Sequence, residues 1–180
     1  MKITKNVLLA LVTIVVVILV LAAIVPSEFE VEREVTINKS NTEVFEYTKY
    51  LKNQENFSVW AKIDPNMKRE FIGVDGTAGF ISAWKSNHPD VGVGEQEITK
   101  VDDGKRIDYE LRFIEPFEST SDAYMIFNSL DSTTTSVKWG FEGGMPYPMG
   151  LMLLFMDMDA ELGKDLQQGL DNLKVILEKQ

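Results

Sequence analysis

Leu151, Phe155, Met158, Leu162, Leu166, Leu170, Leu173 and Leu177 follow one another at steps of three or four residues. Their mean step is about 3.7, close to the 3.6 of an α-helix. The spacing predicts one long amphipathic helix from Pro148 to Gln180, with Asp157, Glu161, Lys164, Asp165, Gln168, Asp171 and Glu178 on its wet side. Such a stripe must be buried against another element, and the chain before it reads as sheet.

Phe29, Val31, Arg33, Val35 and Ile37 alternate with Glu30, Glu32, Glu34 and Thr36, the period-two pattern of a strand. Ser40-Asn41-Thr42-Glu43 then fits a capping box, in which hydroxyl and carboxylate each satisfy a free N–H at a helix start. Val44, Tyr47, Thr48 and Leu51 are the expected inner face of that helix, and a second short helix or irregular turn is expected between Lys52 and Trp60. From Met67 to Phe141 six antiparallel strands are expected, separated by turn signals such as Asp75-Gly76, His88-Pro89 and Asp102-Asp103-Gly104-Lys105. Gly143-Gly144-Met145-Pro146-Tyr147-Pro148 is the last punctuation before the long helix.

At the other end, Val7–Val25 contains no charge and only one polar side chain, Thr13. As a helix this run rises about 28 Å, enough to cross a hydrocarbon core of about 30 Å. Lys2 and Lys5 precede it and Glu28, Glu30 and Glu32 follow it. The positive-inside bias therefore puts residues 1–6 in the cytoplasm, a transmembrane helix at 7–25 and a single domain at 28–180 outside. A cleaved signal peptide is the rival reading. Its apolar core is shorter, and neither Ala22 nor Ala23 has a small residue two positions earlier, so a retained single-pass anchor is favoured.

Composition excludes several function classes. The chain holds 18 Lys+Arg against 28 Asp+Glu, a net charge of −10, which argues against nucleic-acid binding. With no cysteine there is no thiolate nucleophile and no zinc–thiolate or iron–sulfur site. The single histidine, His88, sits in turn composition, so neither a multi-histidine metal centre nor a nucleophilic triad is expected. The nearest approach to a dinucleotide fingerprint, Gly92-Val93-Gly94, has Glu97 where the third glycine would stand, so no nucleotide cofactor is expected. Asp157, Asp159 and Glu161 are closely spaced, but on a helix the two aspartates diverge by about 200°, which favours a solvated acidic face over a cation site. Asn38-Lys39-Ser40 and Asn56-Phe57-Ser58 match the glycosylation acceptor pattern, which matters only in a eukaryotic secretory setting.

The order strand, two helices, six strands, long helix, together with Val35-Thr36-Ile37 leading into Glu43-Val44-Phe45, Gly94-Glu95-Gln96-Glu97-Ile98, Arg106-Ile107-Asp108-Tyr109-Glu110-Leu111 and Gly169-Leu170-Asp171-Asn172-Leu173-Lys174, resembles the START/Bet v 1-like (SRPBCC) superfamily. Within it the chain looks most like the bacterial polyketide cyclase and lipid-transport branch, with an added anchor that most members lack. The resemblance implies an α+β helix-grip fold, a curved antiparallel sheet of about seven strands around the long C-terminal helix. It also implies a bacterial inner-membrane setting and a ligand site between the sheet's concave face and that helix.

By alternation, Trp84, Tyr109, Phe113, Trp139 and Phe141 are the candidates for that site, with Trp60 from the segment after the first helix and Met152 and Phe155 from the apolar start of the long helix. Aromatics at strand spacing are more often ordinary core side chains, and nothing in the sequence distinguishes a filled core from a cavity. Met145, Met149, Met152, Met156 and Met158 form a cluster that reads as a helix start buried on several sides, ahead of an adaptable ligand portal. For catalysis the acid/base candidates are Glu95, Glu97, Glu110, Tyr109 and Tyr124, of which alternation turns Glu110 away from the aromatics. Three classes of function follow: an anchored binding module for an apolar small molecule or lipid, a cyclase-like or other enzyme using the same cavity, and a structural domain with a filled core.

Overall fold

The computed structural model describes residues 2–179, with side chains described from residue 5 onward. Met1, the Lys2 side chain and Gln180 lie outside it, so the part of the charge argument that uses the amino terminus and Lys2 falls outside the described residues. Helix α1 spans Lys2–Ile24, strand β1 Glu28–Ile37, α2 Asn41–Thr48 and α3 Leu51–Phe57, with a 3₁₀ turn at Trp60–Lys62. Strands β2 (Lys68–Ile72), β3 (Ile81–Lys85), β4 (Val93–Asp102), β5 (Arg106–Glu115), β6 (Ser119–Ser129) and β7 (Thr135–Gly144) follow. A second 3₁₀ turn at Met149–Leu154 leads to α4, Met158–Glu178.

The seven strands form one sheet in the order β1-β7-β6-β5-β4-β3-β2. Each sequential pair from β2 to β7 is an antiparallel hairpin, while the first strand returns to lie beside the last. Between β4 and β5 the register shifts twice, at Val93/Gly94 and at Ile98/Lys100. Each extra residue bends its strand and adds twist, which curves the sheet where the longest hairpin would otherwise be flat.

The chain divides into two compact units. The larger runs from Glu30 to Gly143 and from Asp159 onward. Its core is the inner face of the sheet, with Val31, Ile37, Ile98, Ile107, Met125 and Val137, closed by Leu166, Leu170, Leu173 and Leu177 of α4. The capping box forms as expected, Ser40 N–H donating to Glu43 at 3.1 Å and Glu43 N–H to the Ser40 hydroxyl at 3.4 Å. Helix α2 buries Val44, Phe45 and Thr48; Phe45 takes the inner place expected of Tyr47 and meets Phe127 edge-on at 5.2 Å. Glycine lets α4 approach closely: a Cβ on Gly169 would lie 2.7 Å from Cζ3 of Trp139. Polar ties complete the docking, with Asn172 donating to the Phe57 carbonyl at 3.0 Å and Lys174 to the Thr36 carbonyl at 2.8 Å.

The smaller unit joins the chain through Phe29 to Gly144–Met158. Its helix is long and apolar enough, over Lys5–Ile24, to cross a membrane, and nearly all of its apolar side chains are exposed. The expected single helix from Pro148 is corrected here. The chain makes a 3₁₀ turn over Met149–Leu154, breaks, and starts α4 at Met158. Gly150–Met156 has no polar side chain, so nothing in it defines a wet and a dry face, and the buried leucine stripe begins only at Leu166. The methionine cluster is likewise not a buried helix start, since Met149, Met152 and Met156 are all exposed.

Candidate functional site: an aromatic cavity between sheet and helix

Inward-facing positions of β2 to β7, with α3, the following 3₁₀ turn and α4, line a partly open cavity of about 300 Å³. That volume exceeds the space of a few waters. Trp60, Trp84, Phe113, Trp139 and Phe141, five of the residues singled out from the sequence, line it. Their rings are fixed by one another. Trp139 meets Phe57 at 5.7 Å and Trp60 at 6.0 Å, and Trp84 meets Phe113 at 6.0 Å, all edge-on, the arrangement favoured by ring quadrupoles.

Trp84 shows how the chain makes room. Its indole N–H donates to the Val91 carbonyl at 3.3 Å, and its ring lies over Gly94, its cross-strand partner, where a Cβ would come within 2.5 Å. Any other residue at position 94 would push the ring out of the cavity wall. Trp139 rests the benzo edge of its ring on Gly169, which turns its N–H to the opposite edge.

The other three candidates do not line the cavity. Tyr109 is inward-facing but packed into the core at 3% exposure, and burial first, then the nearby Asp108 and Asp75 charges, hold its phenol well above the ordinary tyrosine value. Met152 and Phe155 belong to the smaller unit and are exposed, Phe155 at 89%. The α-helical stripe does not extend through this 3₁₀ segment.

The polar lining escaped the sequence reading. Gln96 on β4 is 9% exposed, lines the cavity, and its amide has no hydrogen-bond partner among the described residues. The amide is open to the cavity, where it can donate to or accept from an occupant with a matching polar atom. The signal was present in Gly94-Glu95-Gln96-Glu97-Ile98, where alternation puts Gln96 on the face opposite the two glutamates. Ser58, also buried, adds a hydroxyl. The charges in the lining are Arg69 and Glu55, which pair at 2.6 Å while Arg69 also donates to the Ala61 carbonyl at 2.8 Å, and the exposed Asp90.

The acid/base candidates sit elsewhere. Glu95, Glu97 and Glu110 project from the other face of the sheet and converge on Arg112, Glu95 at 2.6 Å and Glu97 at 2.8 Å. Hydrogen bonds to these three carboxylates hold the Arg112 guanidinium above its ordinary value. Tyr124 shares that outer face, donating to Glu30 at 2.7 Å and contacting Glu32, under the Arg106 guanidinium. Desolvation first, then the two glutamates, raises its phenol above the usual range. Among the described residues no group of three or more His, Asp or Glu side chains could hold a metal ion.

A curved seven-stranded antiparallel sheet, closed by a long C-terminal helix over an aromatic cavity, defines the Bet v 1-like helix-grip fold. Solved structures bear this out. The chain is similar to norcoclaurine synthase from Thalictrum flavum, at 12% identity and a TM-score of 0.60 over 84% of this chain and 95% of that one. It is also similar to Ara h 8.0201, at 13% identity and a TM-score of 0.56 over 85% and 99%. A third similar structure is Aha1 from Colwellia psychrerythraea, at 14% identity and a TM-score of 0.58 over 83% and 96%. No protein-family model matches the sequence, and no curated protein matches it. At these identities the likeness shows the fold.

Proposed function

We propose that this chain is a membrane-anchored binding module for a small apolar molecule carrying at least one hydrogen-bonding atom. The observation that carries the reading is a cavity of about 300 Å³ lined by five aromatic side chains and the Gln96 amide. Ligand sites are apolar hollows with a few placed polar groups, typically about 300–1,000 Å³. At the bottom of that range, an occupant of one or two rings, or part of a single lipid chain, suits the space better than a whole two-chain lipid. The fold supports the reading coarsely, since norcoclaurine synthase, which shares it, has been solved with dopamine and hydroxybenzaldehyde. Binding is favoured over catalysis because the carboxylates nominated for proton transfer engage Arg112 on the opposite face of the sheet.

In this reading α1 is a single-pass anchor, with Lys5 ahead of its apolar stretch and the acidic β1 after it, so the N-terminus is cytoplasmic and the cavity lies outside, at a bacterial inner membrane. The anchor holds the cavity beside a reservoir of apolar molecules. Native mass spectrometry of the full chain, purified in detergent from its own cells, tests the binding. A bound small molecule is expected on the wild type and not on Ala123→Phe, whose ring fills the cavity. Adducts equally abundant on the filled variant would sink the proposal. Protease treatment of intact spheroplasts tests the orientation, since a C-terminal tag that survives outside protease reverses it.

A further inference from the structure

Within the smaller unit, the segment after β7 is clasped to the end of α1. Met145 N–H donates to the Ser27 carbonyl at 2.8 Å, and the Tyr147 hydroxyl donates to the Leu19 carbonyl at 3.2 Å. Gly150 lies so close that a Cβ there would come 2.8 Å from the Ser27 side chain. Yet the segment leaves its apolar side chains uncovered: Tyr147, Met149, Met152, Leu154, Phe155 and Met156 are between 39% and 89% exposed. From Met145 to Met156 there is no charged side chain, and the acidic Asp157, Asp159 and Glu161 follow at once. Contiguous exposed apolar surface of this kind marks an interaction site, and scattered surface leucines do not account for it.

We infer that residues 145–156 form an interfacial wedge that dips into the outer leaflet beside the anchor helix. The inference rests on the reading of α1 as a membrane span, and it names the occupant of the patch as lipid. Leu19 lies five residues before Ile24, the last residue of α1, so the Tyr147 hydroxyl sits about 7–8 Å below the helix end at 1.5 Å per residue. That is the depth of the headgroup and acyl boundary, where tyrosine concentrates and interfacial segments bury about 5–10 Å. A membrane surface therefore continues directly from the apolar surface of α1 onto this patch. Because the segment has no lysine or arginine and is flanked by Glu142 and Asp157, insertion draws on apolar contact alone and needs no anionic lipid.

The chain has no cysteine, so single-cysteine variants label cleanly. Val15→Cys in α1, Phe155→Cys in the segment and Leu130→Cys, an exposed site in the larger unit, carry a nitroxide in the full chain reconstituted into phosphatidylcholine vesicles. Power-saturation spectroscopy then compares access of oxygen with access of a water-soluble nickel chelate. At Phe155, nickel access about fivefold or more below that at Leu130, with oxygen access raised, is expected for a side chain 5–10 Å into the leaflet. Replacing half the lipid with phosphatidylglycerol leaves this ratio unchanged. If Val15 is oxygen-rich while Phe155 is as open to nickel as Leu130, the wedge is wrong and the anchor stands. Nickel access at Val15 would bring down the anchor and the wedge with it. Low access of both reagents at Phe155, with spin–spin broadening, would assign the patch to a second copy of the chain and overturn the lipid assignment.

Discussion

Arg33 of β1 and Asp159 in the first turn of α4 meet as a two-pronged pair. Each terminal nitrogen of the guanidinium donates to one carboxylate oxygen at 2.8 Å, and one of them also reaches the Asp159 carbonyl at 2.9 Å. Gly163, one turn further along α4, leaves the space that the guanidinium occupies, since a Cβ there would lie 2.0 Å from it. Bidentate geometry of this kind is the form in which a partly exposed ion pair contributes to stability. The carboxylate also lies where the helix dipole favours negative charge.

The pair makes stability depend on pH in a defined direction. The Arg33 hydrogen bonds hold the Asp159 carboxyl below its ordinary value. Its folded value therefore lies under the unfolded one of about 3.9, so the contribution is complete above that pH and disappears as the pH falls through the folded value. Asp159→Asn should lower the melting temperature at pH 7 and flatten the fall in melting temperature below pH 4. Thermal melts at intervals from pH 7 to 3 measure both, and parallel curves for variant and wild type would contradict the assignment.

Leu166 and Leu173 are fully buried on α4, at 1% and 0% exposure. Truncating either to alanine should cost about 2–5 kcal/mol, the usual range for a buried leucine. Val175→Ala, at an exposed position of the same helix, should stay within about 0.5 kcal/mol. Chemical denaturation followed by tryptophan fluorescence separates the two cases.

Gly169→Ala should destabilise the protein although it improves the helix. Alanine gains about 1 kcal/mol of intrinsic helix propensity over glycine, but overpacking a core costs about 1–3 kcal/mol. The new methyl group would come 2.7 Å from the Trp139 ring, whose edge-on contacts with Phe57 and Trp60 leave it little freedom to yield except into the cavity. A lowered melting temperature together with weaker capture of the bound molecule is the expected pair of results; a raised melting temperature would show that the ring moves freely.

Gln96→Leu separates stability from binding. The amide has no protein partner, so an apolar side chain of similar size should leave the melting temperature unchanged or higher. A hydrogen bond from the amide to a neutral ligand is worth about 0.5–1.5 kcal/mol, so the apparent Kd should rise about 2- to 13-fold. Titration of the delipidated protein with the molecule identified by mass spectrometry gives the ratio. An unchanged Kd would remove Gln96 from the site.

The strand alternation from Phe29 to Ile37, the Ser40–Glu43 capping box, the hairpin at Asp102–Lys105 and the leucines from Leu166 to Leu177 determined the architecture by themselves, because each is a local rule that tertiary packing only had to obey. The apolar helix before β1 was equally legible, since a charge-free run of this length reads as one long helix. The start of α4 was decided by tertiary structure: between Gly150 and Met156 every side is apolar, so periodicity carries no information, and the chain takes a 3₁₀ turn with Gly150 close against Ser27. The site was decided there too. Alternation turned Tyr109 and Phe113 to the same face, yet only Phe113 reaches the cavity, because distance along a curved strand separates packed core from open space. Gln96 and Arg69 come from strands β4 and β2, while Trp60, Trp139 and Leu166 come from a turn, β7 and α4, and no local pattern records that the fold brings these five together.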